Sequence, residues 1–144
     1  MASRETIAGV QAFLESYGAA FARYDADAAA DFYLLPALVA SDAEPVALLL
    51  MATREICRAG IERVLGWHRK LGVASSRTLG FQVTELSPRL VTLDLHCELC
   101  DTSGMRLYDY RGIYTLVAQD GAWRIAAIAH NQIPRLLKRL AEMS

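Results

Sequence analysis

The hydrophobic positions of this chain change period once. In the N-terminal half they recur at helical steps. Ile7, Val10, Leu14, Tyr17, Phe21 and Tyr24 alternate three- and four-residue spacings, which predicts a helix from about Ser3 to Arg23 with one buried stripe. Ser3 stands where an N-cap hydroxyl is wanted. A short second helix is expected from Ala26 to about Leu34, ended by Pro36, because the residue before a proline avoids the helical region. Leu38–Ala40 and Val46–Met51 read as short strands around the turn at 41–45. Thr53 then caps a third helix, running to about Leu71. Its apolar face is read as Ile56, Gly60, Val64, Trp67 and Leu71, with Gly72 to end it.

From there the period is two. Leu79, Phe81 and Val83 alternate with Gly80, Gln82 and Thr84. Val91, Leu93, Leu95, Cys97 and Leu99 alternate with Thr92, Asp94, His96 and Glu98, a strand with one dry and one wet face. Asp101–Gly104 is a hairpin loop. Beyond it, Tyr108, Tyr110, Tyr114 and Leu116 share one parity while Asp109 and Arg111 share the other, and Asp120-Gly121 turns the chain into a last strand. Pro134 sits in the first turn of a short C-terminal helix. Helices followed by a meander predict an α+β fold. Three N-terminal helices would pack in the concave face of a curved antiparallel sheet, followed by the short C-terminal helix, in a single domain over 1–144.

Composition narrows the function classes. Hydrophobic residues make up 53% of the chain, an excess that points to a lined cavity or an apolar subunit interface. The net charge of −1 and pI near 6.3 argue against a nucleic-acid partner, and Arg135, Lys138 and Arg139 read as the solvated face of the last helix. The N-terminus has no apolar leader, and the apolar run Val46–Ala52 is too short to span a bilayer, so no membrane partner and a cytoplasmic location are expected. Three cysteines make no disulfide framework. Cys97 and Cys100 have a CxxC spacing, but on a strand it sends them to opposite faces, and no second pair stands at zinc spacing. No metal or other cofactor is expected.

The apolar faces of the first and third helices and the dry sheet face should together line a pocket. The residues are Tyr17, Phe21, Trp67, Phe81, Val83, Leu95, Cys97, Tyr110, Tyr114 and Leu116. Such a pocket suits a small apolar molecule with one or two oxygens. Several phenols on a buried face each need a partner, and a ligand can be one.

Element order, the helix-one spacing into Tyr24-Asp25-Ala26-Asp27 and the closing DGAWRI resemble the nuclear transport factor 2-like superfamily. This is the cone fold of ketosteroid isomerase, scytalone dehydratase and the SnoaL-like polyketide cyclases. The resemblance covers nearly the whole chain and implies roles for particular residues. Tyr17 matches the isomerase tyrosine that donates to the substrate oxyanion, and is otherwise a core aromatic. The isomerase base falls by straight counting on Ser41. Asp42 could serve only if a bulge intervenes, and is otherwise a turn aspartate. Tyr114 matches the second oxyanion donor, an aspartic acid in the isomerase. The family alignment turns His130 into the cavity along with Arg124, Ala126 and Ile128, whereas amphipathicity prefers Trp123, Ile125, Ala127 and Ala129. Tyr24-Asp25 is similar to a Tyr-Asp pair of scytalone dehydratase and also reads as helix termination and re-capping. The wet face carrying Asp94, His96, Glu98, Asp109 and Arg111 corresponds to a common dimer surface of the superfamily, or is a solvated face with cross-strand charge pairs. The resemblance leaves three functions open. They are a binding domain for a small apolar ligand, a cofactor-free lyase or isomerase with His130 or Asp42 as base and Tyr17 and Tyr114 as donors, and a homodimerisation module.

Overall fold

The computed structural model describes residues 2–143. Helix α1 (Arg4–Ala22) starts where the Ser3 hydroxyl accepts the Thr6 amide at 3.1 Å. Tyr24 takes a left-handed φ of 59° and turns the chain, and Asp25 caps the five-residue α2 (Ala26–Ala30). Here the expectation of a helix to Leu34 is corrected. Strand β1 (Tyr33–Ser41) begins at Tyr33, because its backbone finds partners on the last strand rather than in a further helical turn. Strand β2 (Ala47–Met51) returns antiparallel to β1. Helix α3 (Arg54–Leu71) is capped by Thr53 and ended by Gly72 at φ 86°. Strands β3 (Ser75–Ser87), β4 (Leu90–Cys100), β5 (Arg106–Gln119) and β6 (Ala122–His130) form the meander, and α4 (Gln132–Glu142) closes it.

The class is α+β, with a curved, open six-stranded sheet in the order β2-β1-β6-β5-β4-β3. Two details differ from expectation. The sheet is not wholly antiparallel, since β1 runs parallel to β6. Parallel neighbours need a long crossover, and the whole of β2, α3 and the meander provides it. The helical layer is not three packed N-terminal helices. It is one long α1, a single short α2, and α3 inserted after β1 and β2.

The buried stripe of α3 is Cys57, Ile61, Leu65, His68 and Leu71. This is one residue round from the predicted face, and Ile56 is exposed. The dry face of β4 lies where its alternation puts it, with Val91, Leu93, Leu95, Cys97 and Leu99 all buried.

Of the basic residues of α4, Arg135 and Lys138 are exposed as expected, and Arg135 and Arg139 also reach the neighbouring strand. Strand β6 pairs with β5 only from Gly112 onward, which leaves the first part of β5 without a strand on that side. Side chains of the last helix and its cap take over the vacant positions. Arg139 Nε donates to the Leu107 carbonyl at 2.9 Å, Arg135 donates to the carbonyl and carboxylate of Asp109, and Asn131 Oδ1 accepts the Arg111 amide at 2.8 Å. Unpaired strand edges bind other chains, and α4 blunts this one with side chains in place of a strand. Leu136 is fully buried under the helix.

Leu136→Ala should therefore lower the unfolding free energy by about 3 kcal/mol in urea titration. Lys138→Ala, on the exposed side of the same helix, should change it by less than about 0.5 kcal/mol.

Candidate functional site

Between α1, α3 and the inner sheet face lies a cavity of about 130 Å³. An apolar cavity of ~150 Å³ holds benzene, so this one has the size of a single ring. Its walls include Leu14, Phe21, Val64, Leu95 and Ile128, and its mouth adjoins a groove between α1 and β3 lined by Gly18, Ser75, Ser76 and Thr78.

Of the predicted lining, Tyr17, Phe21, Leu95, Cys97, Tyr110 and Tyr114 are on the cavity wall. Phe81 is not, and lines the adjoining groove instead. Trp67 lies on the outer side of the α3 stripe, half-buried beneath the Arg63 guanidinium 5.7 Å from its ring. Leu116 is packed solidly between its sheet neighbours Val91 and Ile125, all three fully buried, so no free wall is left to it. Val83 sits on the edge strand opposite Leu93 and packs on the core beyond the cavity.

Two phenol pairs dominate the polar part of the wall. The Tyr17 and Tyr33 hydroxyls are 2.5 Å apart, and those of Tyr110 and Tyr114 are 3.0 Å apart. Burial is the main reason that all four phenols ionise less readily than a free tyrosine; Tyr114 is pushed up to about 12. They are neutral donors at neutral pH. Gly112 makes room for this cluster. A Cβ there would stand 2.9 Å from the Tyr114 ring and 3.5 Å from the His130 Cβ, so the missing side chain lets the ring lie across the strand toward His130.

The orientation of His130 turns on a bulge. The β5–β6 register shifts between Thr115 and Leu116, leaving Ala126 as the extra residue. Before the bulge Ile125 faces the core, and after it Ile128 and His130 face the cavity. Each of the two opposed parity readings holds for one half of the strand. The Gln132 backbone N–H donates to His130 Nδ1 at 3.0 Å, so the neutral ring carries its proton on Nε2, and burial lowers its basicity.

Asp42 is exposed in the turn after β1, outside the cavity wall, where its backbone N–H donates to the His130 carbonyl. No bulge carries it inward. Ser41 is buried, paired in register with His130. Tyr24 donates to the Val73 carbonyl and Asp25 caps α2, which is the re-capping reading of that pair.

The sequence reading missed His68. It is 1% exposed, lines the cavity, and has Nε2 2.8 Å from the Tyr108 hydroxyl. The Gln132 side-chain amide donates to that same oxygen at 3.1 Å. Tyr108 and His68 share one hydrogen bond beside that of Gln132, and His68 Nε2 is occupied by it whichever group donates. Desolvation lowers His68 from 6.5 to about 4. The signal lay in the stripe Cys57, Ile61, Leu65, which repeats at helical spacing into His68.

The outer sheet face divides in two. On β4 and β5 its charges are paired within the chain: Asp94 with Arg111, His96 with Asp109 at 2.8 Å, and Glu98 with Arg77 and Arg106. On β2, β1, β6 and β5 it is apolar. Two rows cross there, Leu50, Leu38 and Ala127 in one and Leu48, Ala40, Ala129 and Ile113 in the other. Among the described residues, no helix is long and apolar enough to cross a membrane, and no cluster of His, Cys, Asp or Glu is arranged to hold a metal.

A curved six-stranded sheet closed over a small tyrosine-lined cavity by α1 and α3 defines the cystatin-like cone. Residues 4–132 match the family described as NTF2-like protein (DUF6841), and the chain belongs to it. Comparison with curated proteins finds no match. Solved structures share the fold. Aln2 from a Streptomyces species superposes with a TM-score of 0.75 at 17% identity, covering 100% of this chain and 99% of that one. An NTF-2 like protein of unknown function from Shewanella oneidensis gives 0.69 at 13%, covering 87% and 98%. A protein of unknown function with a cystatin-like fold from Nostoc punctiforme gives 0.70 at 8%, covering 90% and 92%. At these identities the likeness is one of fold.

Two outcomes test the site's architecture. Unfolded His68 binds a proton near pH 6.5 while the folded ring refuses it down to about 4. The stabilisation it gives is therefore complete above pH 6.5 and is lost as the pH falls through that window, by about 3 kcal/mol in all. Urea titrations from pH 7 to 4.5 should show this slope, and His68→Leu should flatten most of it, whatever its cost at neutral pH. Gly112→Ala should destabilise by about 1–3 kcal/mol through the clash with Tyr114, read as a lower urea midpoint at an unchanged slope.

Proposed function

We propose that the protein binds a small, single-ring apolar molecule in the cavity between α1, α3 and the inner sheet face. The observation that carries this over catalysis is the absence of a carboxylate base on the wall. Among the described residues, the wall contains no aspartate or glutamate. His130 has Nδ1 occupied as an acceptor and its proton on Nε2, and His68 has Nε2 taken up by Tyr108 and its basicity lowered by burial to about 4. Proton abstraction next to a carbonyl needs a free lone pair within about 3 Å of the C–H. The isomerase or lyase reading, with Tyr17 and Tyr114 as oxyanion donors, lacks that group, because Asp42 stands in the turn.

We also propose that the molecule is a homodimer joined through the outer sheet face. Supporting it are Leu38, Leu48, Leu50 and Ile113, each between 45% and 69% exposed on one continuous surface. Patches of this kind mark association sites. The charges beside the patch are neutralised within one chain, so the face meets its own copy without repulsion. A two-fold interface requires such self-compatibility.

Toluene at millimolar concentration should raise the melting temperature and perturb the NMR signals of Leu95, Cys97 and Tyr114. Leu95→Trp, which fills the cavity, should remove both effects in a protein that still folds. No response to any one-ring compound would overturn the binding reading. In sedimentation velocity at micromolar concentration the chain should run at twice its 15.9 kDa mass. Leu48→Glu with Ile113→Glu should run at one mass with unchanged circular dichroism, and a monomeric parent would overturn the dimer.

A further inference from the structure

Resting on the reading of the cavity as a ligand site, we propose that the ligand is a ring carrying an unbranched chain with a cationic end, and that the chain lies in the groove between α1 and β3. The cavity takes a single ring. The groove outside it is larger, about 610 Å³ against about 130 Å³. Leu14, Gly18, Ala22, Ser75, Ser76 and Thr78 border both spaces, so the two are continuous.

The groove stays open because neither wall carries side chains that close it. Helix α1 turns Val10 and Phe13 into the core and leaves Gly18, Ala19 and Ala22 on its flank toward β3. Strand β3 is an edge of the sheet, and every residue from Ser75 to Gly80 is exposed. The longest side chain of that stretch, Arg77, is turned away onto the Glu98 carboxylate at 2.7 Å. Protein interiors fill gaps of this kind with side chains. This one runs from solvent to the cavity wall.

Its narrow point lies between Gly18 and Ser76. A Cβ on Gly18 would stand 3.0 Å from the Ser76 Oγ. Ser76 is exposed, so its hydroxymethyl group has solvent to turn into when a straight chain passes. A branch at the same point would press on the α1 backbone.

The chain end is set by charge. Among the described residues, Glu15 is the one charged side chain on the groove wall. It stands three residues before Gly18, about 5 Å along the helix axis. A chain of a few carbons leaving the cavity at Gly18 ends beside it. An amine there meets a carboxylate, and an anionic end is repelled. Arg63, on α3, lines the cavity but not the groove, so a chain leaving on that side would prefer the opposite charge.

The test titrates probes with one common ring into the full chain by calorimetry: benzyl alcohol, phenylbutanol, phenylbutylamine and phenylbutyrate. Phenylbutanol should bind at least about fivefold more tightly than benzyl alcohol, since a fully buried methylene is worth about fourfold and the groove covers only part of each. Phenylbutylamine should bind about threefold more tightly than phenylbutyrate, the scale of an exposed ion pair. Ala19→Phe fills the groove from an exposed position outside the cavity wall, and should remove most of the chain-length gain. Gly18→Val, which closes the narrow point, should do the same. Glu15→Gln should remove most of the charge preference. Each readout is a ratio within one variant, so any loss of stability cancels.

A parent with no chain-length gain, or a gain that survives both variants, would overturn the groove assignment and leave ring binding standing. Tighter binding of phenylbutyrate, or a charge preference that Glu15→Gln leaves intact, would overturn the cationic end. If benzyl alcohol and toluene both fail to bind, the cavity reading itself falls.

Discussion

One hydrogen-bonded chain ties the layers of this molecule together. His68 reaches from α3 to Tyr108 on β5, and Gln132 reaches to the same oxygen from the first turn of α4. The Gln132 backbone meanwhile holds His130 at the end of β6. Four buried or half-buried polar side chains, those of His68, Tyr108, Gln132 and His130, would each be costly alone, and together with the Gln132 backbone they satisfy one another. The chain sets the depth of α3 over the sheet, the position at which α4 docks on the short-paired end of β5, and the proton position of His130. The cavity is the space left once those distances are set.

Most of the fold was legible because its signals are local. Ser3, Thr53 and Gly72 mark helix ends by their own chemistry, and the Val91–Leu99 alternation needs no partner to be read. What was not legible depended on a neighbour. Tyr33 joins a strand because β6 offers it a parallel edge. Arg135, still exposed, and Arg139 gain backbone partners on β5 because β6 stops pairing before β5 begins. The face of α3 was read one residue off because Ile56 and Trp67 outweighed a stripe that ends in a histidine. That histidine is buried by virtue of a tyrosine forty positions away.

The cavity residues divide in the same way. Tyr17, Tyr110 and Tyr114 were readable as inward phenols from periodicity alone. That they stand in hydrogen-bonded pairs was not, since each pair depends on approach in space. The Ala126 bulge explains why His130 resisted assignment. A strand read at one fixed parity cannot show a wall that changes faces halfway, and nothing in the run of small residues from Ala126 to Ala129 marks where the change occurs. Asp42 illustrates the opposite case, where turn chemistry was the better guide than positional analogy.

The apolar strand β2 closes one edge of the sheet, with Ala47 to Leu50 uncovered and only Met51 buried. A short, nearly uncharged edge of this kind is a template for any extended chain that meets it. Before the rest of the sheet forms, a newly made chain exposes it to other unfinished chains, and such encounters grow with their concentration. Slow release of chains keeps them rare, whereas a sudden burst of synthesis or a rapid dilution from denaturant favours precipitation. The recovery of this protein is thus governed by the rate at which chains arrive as much as by the stability of the fold they reach.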